Sequence, residues 1–269
     1  MVITCVCCTY KRPKQVGYLL NMFERQTHED KRLLIFDDGG TFKHAEWGEN
    51  WRLLKTNRQI SGEFYRYPSL GLKRNAACRI ALMHFPETEA ICPWDDDDYF
   101  MPWHLEITNA ALEKADWALP SKVLYRNPDG SYRQHFTGPK PMYHSAHGYR
   151  LEALIKASGH DDGFLEPYDD TLSGPEDQSL FRRLEKIGAT IADPLEPGRG
   201  LSFKPSYCYG TNDGLMHISA YLKPNDTGEE AYRVIGEQTC ERQDLIIEPP
   251  PGIELDKPFI HGSILPRPF

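Results

Sequence analysis

The sequence predicts a mixed α/β fold built on a mostly parallel sheet with helices over both faces. Three observations point there. Short apolar runs of strand length alternate with stretches of helical periodicity along the first 115 residues. The runs are apolar without clean alternation, as strands covered on both sides are. Polar residues gather just past the ends of those runs, at Thr9-Tyr10, Asp37-Asp38 and Asp95 to Asp98, where open α/β sheets bind their ligands.

Each element follows in order. Residues 3–9 form an apolar run that Pro13 stops, and residues 12–26 carry Val16, Leu19, Leu20 and Phe23 at helical spacing. Residues 33–36 are a second buried strand running into Asp37-Asp38-Gly39-Gly40. Residues 70–84 read as a helix with Leu72, Ala76, Ile80 and Met83 on its apolar face. Residues 90–94 are a short strand that ends in four aspartates, and 102–114 form a helix opened by Pro102. The second half is less regular. Residues 117–125 and 132–136 read as strands paired around Asn127-Pro128-Asp129-Gly130, and 173–187 as a helix stopped by Gly188. From Pro249-Pro250-Pro251 onward, repeated prolines indicate an extended tail.

Composition excludes several classes. The chain has 269 residues, 40% hydrophobic and 26% charged, which is the profile of an ordinary globular protein. No apolar run approaches a membrane span, and the N-terminus lacks a signal-peptide pattern. The formal charge of −8 argues against holding long nucleic acids through phosphate contacts. Seven cysteines, mostly within apolar segments, fit a reduced, cytoplasmic setting. Cys5 and Cys8 are three apart on a strand, so they face opposite ways and form no zinc pair.

Asp95-Asp96-Asp97-Asp98 is the strongest chemical signal. Four adjacent carboxylates at a strand end repel one another and require compensation. Acidic runs are ordinarily solvated loops. Here Trp94 precedes and Tyr99-Phe100-Met101-Pro102-Trp103 follows, flanks too apolar for such a loop. A hard divalent cation, Mn²⁺ or Mg²⁺, held by one or two carboxylates together with substrate phosphates would supply the compensation. An EF-hand is excluded, because Phe100 stands where its loop needs glycine. No G-x-G-x-x-G follows the first strand and no P-loop sequence occurs, so those two modes of phosphate binding are excluded.

Several segments together carry a resemblance. Thr9-Tyr10-Lys11-Arg12-Pro13, Phe36-Asp37-Asp38-Gly39, Leu70 to Ala76 and Trp94 to Pro102 come in the order and spacing of family 2 glycosyltransferases. Gly163-Phe164-Leu165 with Pro175-Glu176-Asp177-Gln178 continues the series, and Tyr207-Cys208-Tyr209-Gly210 with His217-Ile218-Ser219 closes it. The resemblance implies the GT-A fold and a single domain over 1–245. Its nucleotide-sugar-binding half would be 1–115 and its acceptor and catalytic half 116–245, followed by a Pro-rich tail at 246–269.

The resemblance also implies roles. Thr9, Tyr10, Arg12 and Asp37 would belong to the donor site, with Thr9 and Asp37 at the base and ribose. Arg74 would approach the diphosphate, and Asp96 the ribose. Asp97 would bind the metal directly, with Asp95 and a late ligand, His217. Asp177 matches the acidic general base, and its place at a helix start favours the anion. Ser173-x-x-Glu176 reads as a capping box, giving Glu176 a structural role that Asp177 lacks. Bland alternatives stay open for several residues. Asp37-Asp38-Gly39 forms a turn sequence in its own right, His217 is equally a buried core histidine, and Trp94, Trp103 and Trp117 are core residues more often than sugar platforms.

The implied activity is metal-dependent transfer of a sugar, with inversion, from a nucleoside diphosphate donor, a UDP-sugar by preference, to an acceptor hydroxyl. The acceptor stays open among glycan, lipid-linked sugar, protein, small molecule and a hydroxymethylated DNA base. The alternatives are a non-catalytic nucleotide-sugar or glycan-binding module on the same fold and a metal-dependent phosphotransferase.

Overall fold

A computed structural model gives the fold. It describes residues 1–42, 44–56, 59–60, 63–64, 66–126, 132–137, 141, 143–160, 163–195 and 206–209. His217, the expected turn at 127–130 and the Pro-rich tail lie outside the described residues.

Strand β1 (Ile3–Thr9) leads into α1 (Pro13–Glu24), β2 (Lys31–Asp37), β3 (Glu46–Trp47), β4 (Trp51–Lys55) and the small pair β5 (Gln59–Ile60) and β6 (Glu63–Phe64). Helix α2 (Leu70–His84) precedes β7 (Ala90–Pro93), β8 (Tyr99–Phe100), α3 (His104–Leu112), β9 (Trp117–Ala118), β10 (Lys122–Arg126) and β11 (Tyr132–Phe136). A 3₁₀ turn (His144–Ala146) then leads to β12 (Gly148–Arg150), α4 (Leu151–Ser158), α5 (Glu176–Lys186), β13 (Ile191–Ala192) and β14 (Tyr207–Tyr209).

Eight strands form the main sheet in the order β13-β9-β12-β7-β1-β2-β4-β3. Its centre, β7-β1-β2-β4, is parallel, and β12 and β3 enter antiparallel. A second sheet, β11-β10-β14-β8, sits after the acidic loop.

The alternation of β1 divides the core. Ile3, Cys5 and Cys7 face one layer, packed with Val16, Leu19, Leu20 and Phe23 of α1 and Leu105, Ala111 and Leu112 of α3. Val6 faces the other, with Leu34, Phe36, Ala77, Cys78 and Ala81, closed by Leu154 of α4 and Leu180, Phe181 and Leu184 of α5. Cys8 joins this second layer, so Cys5 and Cys8 do lie on opposite faces.

Four expectations need correction. Of the expected apolar face of α2, Ala76 is buried and Ile80 packs against the core, but Met83 is 79% exposed, and the buried side also carries Lys73, Arg74, Asn75, Ala77, Cys78 and Ala81. Polar side chains turn inward there because they hold the site. The expected strand at 117–125 is two strands in different sheets, β9 and β10, with Pro120 and Ser121 between them. Helix α3 begins at His104, so Pro102 precedes it and does not open its first turn. Helix α5 has no side-chain cap: Ser173 Oγ instead accepts the Leu70 backbone N–H of α2 at 3.1 Å.

Candidate active site

Strands β1 and β2 end level, with Thr9 beside Asp37, while neighbouring β7 ends at Pro93 opposite Val6, so the acidic loop follows beside the last residues of β1. At the end of β1 the chain turns through Lys11 with φ 56°, an uncommon conformation for a side chain of that size. Gly39 packs so closely there that a Cβ would stand 2.8 Å from the Lys11 backbone nitrogen. The two loops therefore close over the strand ends together.

Asp37 is fully buried and accepts the backbone N–H groups of Gly39 at 2.8 Å and Thr41 at 2.9 Å. Its two oxygens shape the loop after β2, which is the structural job a turn aspartate has. Asp38 is paired with Lys73, whose ammonium also donates to the Thr9 carbonyl at 2.7 Å. This buried pair joins the ends of β1 and β2 to α2. Tyr10 is half-buried, with the Arg66 guanidinium 4.5 Å from its ring centre.

The four aspartates fan out, with Asp96 and Asp97 sharing Arg12. Asp95 takes Arg74 Nη2 at 3.1 Å, and its backbone N–H donates to Ser145 Oγ at 3.1 Å. Asp96 accepts the Thr9 hydroxyl at 2.5 Å. Arg12 Nη1 lies 2.8 Å from Asp96 Oδ1 and 2.8 Å from Asp97 Oδ2. Asp98 accepts the Tyr207 hydroxyl at 2.5 Å, which fastens β14 of the second sheet to the acidic loop. Burial and the neighbouring Asp97 charge push Asp96 up to about 6, against the pull of Arg12 and Thr9.

Arg74 links this loop to the start of α5. Its Nε donates to Glu176 Oε1 at 3.2 Å while Nη2 holds Asp95. The second Glu176 oxygen accepts the Gly174 N–H at 2.8 Å, so Glu176 serves as an ion-pair partner inside the fold. The segment before α5 is gripped by α2. Asn75 is buried, and its amide donates to the Tyr168 carbonyl at 2.9 Å and to Asp170 at 2.6 Å. It accepts the Tyr168 N–H at 3.0 Å in return. Gly71 donates its N–H to the Leu172 carbonyl at 3.0 Å, and a Cβ on it would stand 1.9 Å from the Asp169 carbonyl oxygen.

Asp177 follows in the first turn of α5 and keeps part of its surface open. Desolvation, with the Glu176 charge next, pushes its carboxyl up to about 7. The helix start does not lower it overall, as sequence reasoning had it, because those two effects outweigh the Gln178 N–H donated at 2.7 Å. A partly exposed carboxyl near 7 is matched to taking up a proton near neutral pH.

The structure therefore brings together Thr9, Arg12, Arg74, Asp95, Asp96, Asp97 and, through Glu176, the helix bearing Asp177. Tyr10 lies in the loop after β1 and Asp37 at the end of β2. Sequence reasoning gave no role to Lys73, Asn75, Ser145 and Tyr207. Helix 70–84 held the signal for the first two, since Lys-Arg-Asn in mid-helix demands partners. His144 is buried with Nε2 2.9 Å from the Tyr168 hydroxyl, while Trp94 and Trp117 are core residues closed to a sugar.

Among the described residues, no three acidic, histidine or cysteine side chains converge on one point as a ready-made metal cage. The chemistry of the donor set still fits a hard cation. Asp96 and Asp97 already converge on one positive group, and Mg²⁺ or Mn²⁺ needs only one or two carboxylates when substrate phosphates complete the shell.

The parallel centre, the antiparallel β12 and the acidic loop at the strand ends define a GT-A type fold. The structure is similar to residues 1–349 of S. aureus TarS in complex with UDP-GlcNAc, with a TM-score of 0.55 and 21% identity, covering 88% of this chain and 66% of that one. The TarS complex with UDP gives a TM-score of 0.52 at 20% identity, covering 77% and 60%. The chain thus spans about three fifths of the TarS chain in that UDP complex. No protein-family profile matches the sequence, and no curated protein matches it either. Among the described residues no helix is long and apolar enough to cross a membrane.

Proposed function

We propose that the protein is an inverting, metal-dependent glycosyltransferase that moves a sugar from a nucleoside diphosphate donor to an acceptor hydroxyl. One observation carries this reading. Arg74 holds Asp95 of the acidic loop and Glu176 beside Asp177, so a donor-side carboxylate cluster and a proton acceptor share one buried anchor. The UDP and UDP-GlcNAc complexes of TarS make a UDP-sugar the first donor to test.

In this reading the loops after β1 and β2, with Thr9, Tyr10 and Asp37, receive the nucleoside. Asp96 approaches the ribose. Asp97, with Asp95, holds Mn²⁺ or Mg²⁺; bound there, the ion offsets charge on the departing diphosphate. Arg74 keeps Asp95 oriented and lies on the diphosphate side. Asp177 accepts the acceptor proton as that oxygen bonds to the anomeric carbon and the carbon–phosphate oxygen bond breaks. The family resemblance supports the role given to His217 as a further ligand.

The experiment is release of UDP from a panel of UDP-sugars with Mn²⁺, with and without acceptors, on wild type and Asp177→Asn. Metal-dependent UDP release that Asp177→Asn abolishes supports the enzyme. UDP-sugar binding without release under any acceptor assigns a binding module instead.

A further inference from the structure

We propose that Arg12 is a built-in competitor of the divalent cation, so that metal is admitted to Asp97 only as the donor diphosphate draws the guanidinium away. This rests on the donor-site reading above.

A single nitrogen of Arg12 holds both carboxylates, at 2.8 Å from Asp96 and 2.8 Å from Asp97. The two carboxylates are side by side and nearly closed off, with side chains 3% and 6% exposed. Adjacent buried anions without a cation would repel strongly, so the pair needs a positive group before any substrate arrives. Arg12 supplies it. A divalent ion on Asp97 requires an oxygen at about 2.0–2.1 Å, at the position the guanidinium now serves, and two cations there repel.

Arg12 is also the member of the cluster built to leave. Its side chain is 23% exposed, and its backbone lies outside the helix, at φ −126° and ψ 59°, between left-handed Lys11 and Pro13 at the first turn of α1. Lys73 and Arg74, by contrast, are buried and committed to Asp38, Asp95 and Glu176. A guanidinium released from two carboxylates matches the geometry of phosphate oxygens, which it can bind in the same forked manner. Exchange of one anionic partner for another then makes metal and donor binding mutually dependent, without movement of the sheet.

The test uses the full chain and Mn²⁺ alone, with free Mn²⁺ counted by electron paramagnetic resonance. Wild type, Arg12→Gln, Arg12→Lys and Asp97→Asn are compared with and without UDP, with near-ultraviolet circular dichroism as the check on folding. Without nucleotide, Arg12→Gln should bind Mn²⁺ about tenfold more tightly than wild type, and Arg12→Lys should not. The factor by which UDP tightens Mn²⁺ binding should shrink correspondingly in Arg12→Gln, since coupling is reciprocal. Unchanged or weaker Mn²⁺ binding by Arg12→Gln overturns the proposal, as does equal tightening in Arg12→Lys. Mn²⁺ binding that survives Asp97→Asn overturns it too. Failure of wild type to bind UDP at saturating Mn²⁺ would instead remove the donor-site reading, while the Mn²⁺-only series still judges the competition.

Discussion

Replacing Gly71 by alanine sets two simple expectations against each other. Gly71 lies in the first turn of α2, where alanine gains up to about 1 kcal/mol of helix propensity. The new Cβ, however, would stand 1.9 Å from the Asp169 carbonyl oxygen and 2.9 Å from its carbon, backbone atoms that cannot rotate aside. Overpacking of this kind costs about 1–3 kcal/mol. Displacing the segment also loses the Gly71 N–H bond to Leu172, about 0.5–1.5 kcal/mol net. The balance is a loss near 2 kcal/mol, or about 4–8 °C in Tm for a domain of this size. Because residues 168–173 lead directly into the helix bearing Asp177, turnover should fall while UDP affinity holds. Urea melts, calorimetric UDP binding and UDP-release assays read the three quantities. A Gly71→Ala protein as stable as wild type, or more so, would refute the packing argument.

Asp177 predicts a pH signature with a fixed sign. Its folded carboxyl titrates near 7, above the ordinary carboxylate value, so turnover should rise with pH through about 7 as the base ionises. The same shift means that the native state holds a proton which the unfolded state has lost between about pH 4 and 7, so stability falls across that window. Asp177→Asn should therefore lose about 10²–10⁴ in turnover. It should also melt higher than wild type at pH 8, with the gap closing toward pH 4; a variant less stable than wild type at pH 8 would contradict the assignment. Glu176→Gln removes one anion from Arg74 inside the fold, and breaking a buried pair costs about 3–5 kcal/mol. Its Tm should drop clearly, and an unchanged melt would show that the ion pair does not hold α5.

Much of the frame was legible in the sequence because it rests on local pattern. The runs in β1, β2 and β7 are apolar on both faces, and the second-half hairpin pairs Lys122 with Phe136 through Arg126 with Tyr132, as the strands expected on either side of residues 127–130 predict. The short strands on the β12 side of β7 were not legible. Strands β9, β12 and β13 have two or three residues each and owe their existence to long-range pairing. The face of α2 was only partly legible because an apolar stripe was sought, whereas its inner side includes Lys73, Arg74 and Asn75, satisfied by residues up to 102 positions away. Ser173 and Glu176 have the spacing of a capping box, yet tertiary partners, the α2 backbone and Arg74, take both side chains. The acidic loop announced itself through composition. That Asp95 goes to Arg74 and Asp98 to Tyr207 while Asp96 and Asp97 share Arg12 could only follow from the fold.

The cysteines of the central sheet give the fold its own reporter. Cys5, Cys7 and Cys92 are completely buried, and burial is the main cause that pushes each thiol above its ordinary range. Thiolate, the species that reacts with alkylating reagents, is thus withheld twice, by closed access and by a retained proton. Cys8, nearer the site, is less enclosed by surface and is raised to about 11. Timed alkylation followed by peptide mass mapping would separate two processes. Modification at Cys8 would clock local breathing of the β1 end, and modification at Cys5 and Cys92 would clock the parting of neighbouring strands β1 and β7, with no residue introduced by mutation.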